Sequence, residues 1–255
     1  MKVIFIGAGP GDPDLITVKG AKALNEADVI IYAGSLVNKE VLAHGRKDAE
    51  VYDSAGMTLE EVLAVMKKAV SLGRTVARVH TGDPCLYGAI QEQMDALAQE
   101  GIAFDIIPGV SSFLAAAASI KREYTLPDIS QTVILTRLEG RTPVPEQENL
   151  AGLAKHGATM CLFLSVQMID KVVAELRQGY PEQTPVAVVQ KASWPEEKIV
   201  HGTLSNIAEK VKAAAISRTA LILVGDFLGN DYQRSLLYHP EFSHGYREAK
   251  QDESK

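Results

Sequence analysis

Cysteine is scarce. Cys85 and Cys161 are the only two in 255 residues, leaving no disulfide framework and no paired metal-ligand spacing, which points to a reducing compartment. No apolar stretch approaches the roughly 18 residues of a membrane span. The run Val3-Ile4-Phe5-Ile6 behind a single lysine is too short for a signal peptide's apolar region. Basic residues are outnumbered, 26 Lys and Arg against 32 Asp and Glu, for a net charge of −6. That balance argues against a nucleic-acid surface spread over the whole molecule, though not against a local basic cleft. What is present is an ordinary globular composition, 46% hydrophobic and 23% charged, long enough for one large domain or two of usual size. The expectation is a cytoplasmic α/β protein with no metal, no nucleic-acid partner and no membrane segment.

The first half alternates strand and helix signals. Lys2–Ile6 reads as a buried strand entering Gly7-Ala8-Gly9-Pro10-Gly11-Asp12-Pro13-Asp14. Leu15–Glu26 has helical periodicity and Asp28–Tyr32 is a second strand. A dinucleotide fingerprint fails twice here. Asp12 stands where the third glycine belongs, and the strand Asp28–Tyr32 ends in Ala33-Gly34-Ser35, without the acidic residue that holds a ribose. Thr58–Leu72 is an amphipathic helix with a Thr cap and glutamates in its first turn. The strand Thr75–Val79 stops at Thr81-Gly82-Asp83-Pro84, and Ala89–Leu97 is again helical. The strand Ala103–Ile107 runs into Pro108-Gly109-Val110-Ser111-Ser112, with the alanine-rich helix Phe113–Ile120 beyond. Any one of these Gly/Pro loops reads equally well as an ordinary βα turn. Three on one sheet edge read as a ligand crevice.

Residues 121–150 change character, and a domain boundary falls near residue 120, giving domains 1–120 and 121–255. The second is mixed: strands Thr132–Thr136, Thr159–Leu164, Pro185–Gln190, Lys198–Thr203 and Ala220–Val224, with helices Met168–Arg177 and Ser205–Ala215. Ser193-Trp194-Pro195-Glu196-Glu197 turns a hairpin-like pair. After Gly229 the tail is polar, and Glu241–Lys255 is expected to fray.

In order and spacing, GAGPGDPD at 7–14, HTGDPCLYG at 80–88, PGVSS at 108–112 and KASWPEEKIVHGTL at 191–204 resemble the tetrapyrrole (corrin/porphyrin) methylase family. The segments 122–145 and 237–247 are similar to one member in particular. The resemblance implies two α/β domains with a cofactor cleft between them, the first carrying the glycine-rich loops on the tetrapyrrole side and the second completing the cofactor site. It also implies a homodimer and S-adenosylmethionine bound folded, as in class III methyltransferases. The implied cofactor contacts are Pro10, Thr81, Gly82, Asp83, Leu86, Ser111, Ser112, Leu164, Ala192, Thr219 and Ala220. Many relatives have glycine where Thr81 stands and methionine where Leu164 stands.

The implied activity is methyl transfer to a ring carbon of a polycarboxylate tetrapyrrole. It needs no nucleophilic side chain and no metal, so no catalytic residue is assigned. Arginine suits bidentate carboxylate recognition, which makes Arg122, Arg137 and Arg141 candidate substrate contacts. Asp12 is a further candidate, read first as an Asx-type cap that closes its loop. His80, Cys85, Tyr32, Tyr87 and Trp194 have bland readings as packing residues. A non-catalytic module that binds an adenine nucleotide or a tetrapyrrole is the alternative of another class.

Overall fold

A computed structural model describes residues 1–34 and 36–249. Ser35 and residues 250–255, the end of the polar tail, lie outside the described residues. The chain divides into two compact units, one made of Met1–Ile120 with Val189–Lys198, the other of Lys121–Val188 with Ile199–Lys255.

The first unit runs β1 (Val3–Gly7), α1 (Val18–Glu26), β2 (Val29–Tyr32), β3 (Glu50–Asp53), α2 (Leu59–Ser71), β4 (Val76–His80), α3 (Gln91–Gln99), β5 (Phe104–Ile107) and α4 (Ser112–Ser119). Its five strands lie parallel in the order β3-β2-β4-β1-β5. Alternation along β1 sorts the core. Ile4 and Ile6 join Ala23 and Leu24 of α1, whereas Val3 and Phe5 join Val62, Leu63 and Met66 of α2 and Leu97 of α3. Helices thus cover both faces, which is why β1, β2 and β4 are buried along their whole length. Burying a side chain such as Phe5 contributes about 1.5–3 kcal/mol. Thr58 and Glu61 form the capping box that starts α2. The chain between Pro13 and Glu26 is two pieces, a 3₁₀ turn at Pro13–Leu15 and then α1 capped by Thr17. The edge strand β3 has no apolar run, since Glu50 and Asp53 are solvated, and its pattern does not announce it.

The second unit holds β6 (Val133–Arg137), α5 (Leu150–Ala154), β7 (Thr159–Phe163), α6 (Ile169–Leu176), β8 (Pro185–Gln190), β9 (Lys198–Thr203), α7 (Ile207–Ala213) and β10 (Ala220–Val224). The sheet order is β6-β7-β10-β8-β9; β6 is parallel and β10 antiparallel to β7. Its core gathers Met160 and Leu162 of β7, Val172 and Leu176 of α6, Val186 and Val188 of β8, Ile207 of α7 and Ile222 of β10. The five-residue helix α5, capped by Asn149, is too short to show a period. The turn linking β8 and β9 groups with the first unit, and its side chains matter there.

Candidate functional site

The loops after β1, β4 and β5 are tied together by backbone. Gly9 and Gly82 pair as an isolated bridge, with Gly82 N donating to Gly9 O at 2.7 Å and Gly9 N to Gly82 O at 3.3 Å. Gly9 has φ +80 and Gly82 φ +61, a left-handed conformation that glycine adopts at no steric cost. Ala8 N donates to His80 O at 2.8 Å. Asp83 joins the second loop to the third: its Oδ1 accepts from Cys85 N at 2.8 Å and its Oδ2 from Gly109 N at 2.9 Å. Both carboxylate oxygens therefore serve the loops themselves.

The first loop is held from 191–197. Trp194 Nε1 donates to Pro10 O at 2.8 Å, and Asp12 N donates to Ser193 Oγ at 3.0 Å. Glu197 Oε2 accepts from Ser193 N at 2.8 Å and from Ser119 Oγ at 2.6 Å, linking the turn to the end of α4. A Cβ on Gly11 would lie 2.0 Å from the Trp194 ring, so the indole seats only against a glycine. Sequence reasoning missed this buttress because the partners are some 180 residues apart. Asp12 Oδ1 accepts from Asp14 N at 2.9 Å, the Asx cap that closes the loop.

The other candidates fall as follows. Thr81 and Leu86 are half-buried, Ser111 is buried ahead of α4, Ser112 is half-buried in its first turn, and Ala192 is buried in the turn after β8. In the second unit Leu164 follows β7 with φ +53 and is 67% exposed. Thr219, also left-handed at φ +54, is exposed, and Ala220 opens β10 half-buried.

The arginines differ. Arg122 Nη2 donates to Asn230 Oδ1 at 2.7 Å. Arg137 donates from Nη1 to Thr142 O at 3.1 Å and from Nη2 to Pro143 O at 2.6 Å, clasping its own loop. It also lines a cavity of about 370 Å³ beside Lys171, where Glu139, Glu146, Glu148 and Glu175 outnumber the two cations. Arg141 is exposed.

His80 ends β4 at 5% exposure, its ring 6.2 Å from that of Phe5 and its Nε2 without a hydrogen-bond partner. Burial, helped by the nearby Arg78 charge, pushes its pKa down to about 3. An unfolded histidine takes up its proton near pH 6.5, whereas this one does so only near 3. The contribution to stability is therefore complete above about pH 6.5 and declines as pH falls through that window, by about 1.4 kcal/mol per pH unit. Urea unfolding of wild type and His80→Gln between about pH 5 and 7 checks this. The variant is expected to show a shallower acid limb, and parallel limbs would refute it.

The model of the tetrapyrrole (corrin/porphyrin) methylases matches residues 2–208, and the chain belongs to that family. It is 62% identical over 250 residues to the cobalt-precorrin-4 C(11)-methyltransferase of Methanocaldococcus jannaschii, covering 97% of this chain and 96% of that one. The X-ray structure of a cobalamin biosynthetic enzyme, cobalt precorrin-4 methyltransferase, matches at 52% identity with a TM-score of 0.88, covering 90% of this chain and 96% of that chain. The uroporphyrin-III C-methyltransferase of Thermus thermophilus, solved with S-adenyl homocysteine, matches at 26% identity with a TM-score of 0.76, covering 89% and 99%. The two α/β units have the tetrapyrrole methylase fold.

Proposed function

We propose that this chain is an S-adenosylmethionine-dependent C-methyltransferase that methylates C11 of cobalt-precorrin-4 in cobalamin biosynthesis. The observation that carries the reading is the 62% identity, across 97% of the chain, to a relative named for that reaction. The locked loops after β1, β4 and β5 are its physical counterpart. When bound, S-adenosylmethionine supplies a methyl group already activated by the sulfonium charge. The chain is left with alignment, orientation and exclusion of water, for which proximity alone contributes on the order of 7–11 kcal/mol. A rigid scaffold of backbone bonds suits that task better than a reactive side chain.

The proposed cofactor contacts in the first unit are Pro10, Thr81, Gly82, Leu86, Ser111, Ser112 and Ala192, with Asp83 acting by holding its loop. Leu164, Thr219 and Ala220 are proposed from the second unit. Arg141 is the arginine proposed to meet an acceptor carboxylate, since Arg122 and Arg137 are bonded within their own unit. The proposed working form is a cytoplasmic homodimer; among the described residues no helix is long and apolar enough to cross a membrane.

Anaerobic incubation with S-adenosylmethionine and either cobalt-precorrin-4 or precorrin-4, read by mass spectrometry and NMR, tests this. The expected product carries one new methyl group at C11, with the cobalt form preferred. Cofactor binding by calorimetry without transfer to either substrate would favour a binding module or another tetrapyrrole. No cofactor binding would reduce the three loops to ordinary turns.

A further inference from the structure

Arg78 sits inside the first unit's sheet, in register with Phe5 on β1 and Ile31 on β2, and is 7% exposed. Among the described residues its buried guanidinium pairs with no carboxylate. Nη1 donates to Ser54 Oγ at 2.9 Å and to Ile31 O at 3.4 Å, and Nε donates to Gln93 Oε1 at 3.2 Å. Around it β1 presents Phe5, β2 a carbonyl, the turn after β3 a hydroxyl and α3 an amide, all uncharged. The titratable group beside it is His80 on its own strand, held neutral. Burial lowers the Arg78 pKa to about 10, so the charge persists at neutral pH.

A guanidinium stripped of water and given only neutral acceptors is an expensive way to fill a sheet face, and leucine or methionine would do so without the desolvation penalty. The partners show what the charge holds. Ser54 Oγ in turn donates to Tyr32 O at 3.0 Å, joining the exits of β2 and β3. Gln93 Nε2 donates to Ala89 O at 2.9 Å. Ala89 has φ +48 and Tyr87 φ +58, left-handed backbone that non-glycine residues keep only where the surroundings impose it. Both lie in the stretch that runs from Asp83 to the start of α3.

We propose that Arg78 is a positioning residue for the methyl-transfer site: through Gln93 it holds the left-handed Ala89 at the end of the Gly-Asp-Pro loop, and through Ser54 the exits of β2 and β3. The proposal rests on the functional reading above for its consequence in catalysis, but its structural content stands on the ligand-free protein.

Three variants test it: Gln93→Leu, Arg78→Lys and Arg78→Met. The readouts are S-adenosylhomocysteine affinity by calorimetry, kcat and KM on cobalt-precorrin-4, and hydrogen exchange over residues 83–90 without ligand. Gln93→Leu is expected to speed exchange in 83–90 and to weaken S-adenosylhomocysteine binding about ten-fold, the scale of one lost buried hydrogen bond. Arg78→Lys restores a donor that burial discharges easily, so its binding is expected near wild type at about pH 6.5 and about ten-fold weaker at about pH 9. Wild type, whose guanidinium stays charged, should lack that alkaline loss. Arg78→Met should show the loss at both pH values; if it does not fold, Gln93→Leu and Arg78→Lys decide. Variants that melt lower yet keep wild-type affinity and wild-type exchange over 83–90 would overturn the proposal and make Arg78 a packing residue. Wild type that binds S-adenosylhomocysteine but methylates neither precorrin fails the functional reading alone. Should wild type bind no cofactor, exchange over 83–90 still decides the role of Arg78.

Discussion

Gly109→Ala is expected to cost about 3 kcal/mol in stability, the upper end for overpacking, and about 100-fold in kcat/KM, the scale of an ångström's misplacement at a site. The Cβ it adds would lie 2.2 Å from Gly82 O, 2.7 Å from Gly7 Cα and 2.9 Å from Gly7 C. A Cβ on Gly7 would in turn lie 2.6 Å from Gly109 Cα, from Gly109 N and from Gly82 O. These neighbours are all backbone, and backbone cannot swing aside as a flexible side chain can. Relief requires the exits of β1, β4 and β5 to separate, which moves every proposed cofactor contact on those three loops together. Gly56→Ala is the control, since its Cβ would meet nothing within 4 Å and a surface change of that kind stays within about 0.5 kcal/mol. Thermal melts, denaturant titration and steady-state kinetics of the two variants check the expectation. A Gly109→Ala enzyme that melts and turns over like the Gly56→Ala control would show that the three loops are not interlocked.

The second large effect is at Asp83. Its carboxylate accepts from Cys85 N within its own loop and from Gly109 N in the next. Hydrogen bonds to a charged acceptor contribute about 1.5–3 kcal/mol each, and Asp83→Ala removes the acceptor of both, one of them exposed to water and the other part-buried, so a loss of about 3 kcal/mol, the lower end for two such bonds, is expected. S-adenosylmethionine affinity should fall with it, because the loop loses both its internal turn and its tie to residue 109. Asp83→Asn keeps one acceptor oxygen and turns its amide hydrogens toward the other donor, so part of the loss should remain. Calorimetric binding and urea unfolding of the two variants separate the contributions. If Asp83→Ala keeps full stability and loses only affinity, the carboxylate contacts the ligand directly and does not hold the loop.

Local chemistry made much of this protein legible in its sequence. Buried β-strands appear as short apolar runs, so β1, β4, β8 and β10 stand out within a residue or two, and Thr58 with Glu61 announces α2 through a capping box that needs only four consecutive residues. The loops at 7–14, 81–84 and 108–112 were readable because glycine and proline encode backbone geometry directly, and their motifs carried the family. Strand β3 and helix α5 were not legible, one being a solvated edge and the other too short for a period. The tertiary structure alone decided which loops lock together, since the approach of Gly7, Gly82 and Gly109 joins residues about 100 apart in the chain. It also decided that Trp194 and Ser193 hold the first loop, that Asp83 spends its carboxylate on two backbone amides, and that Arg78, a lone charge in an apolar strand, is buried against neutral partners. The reason is physical: propensity and turn geometry act over a few residues and are written locally, whereas a hydrogen-bond partner or a steric limit far along the chain exists only once the sheet brings it near.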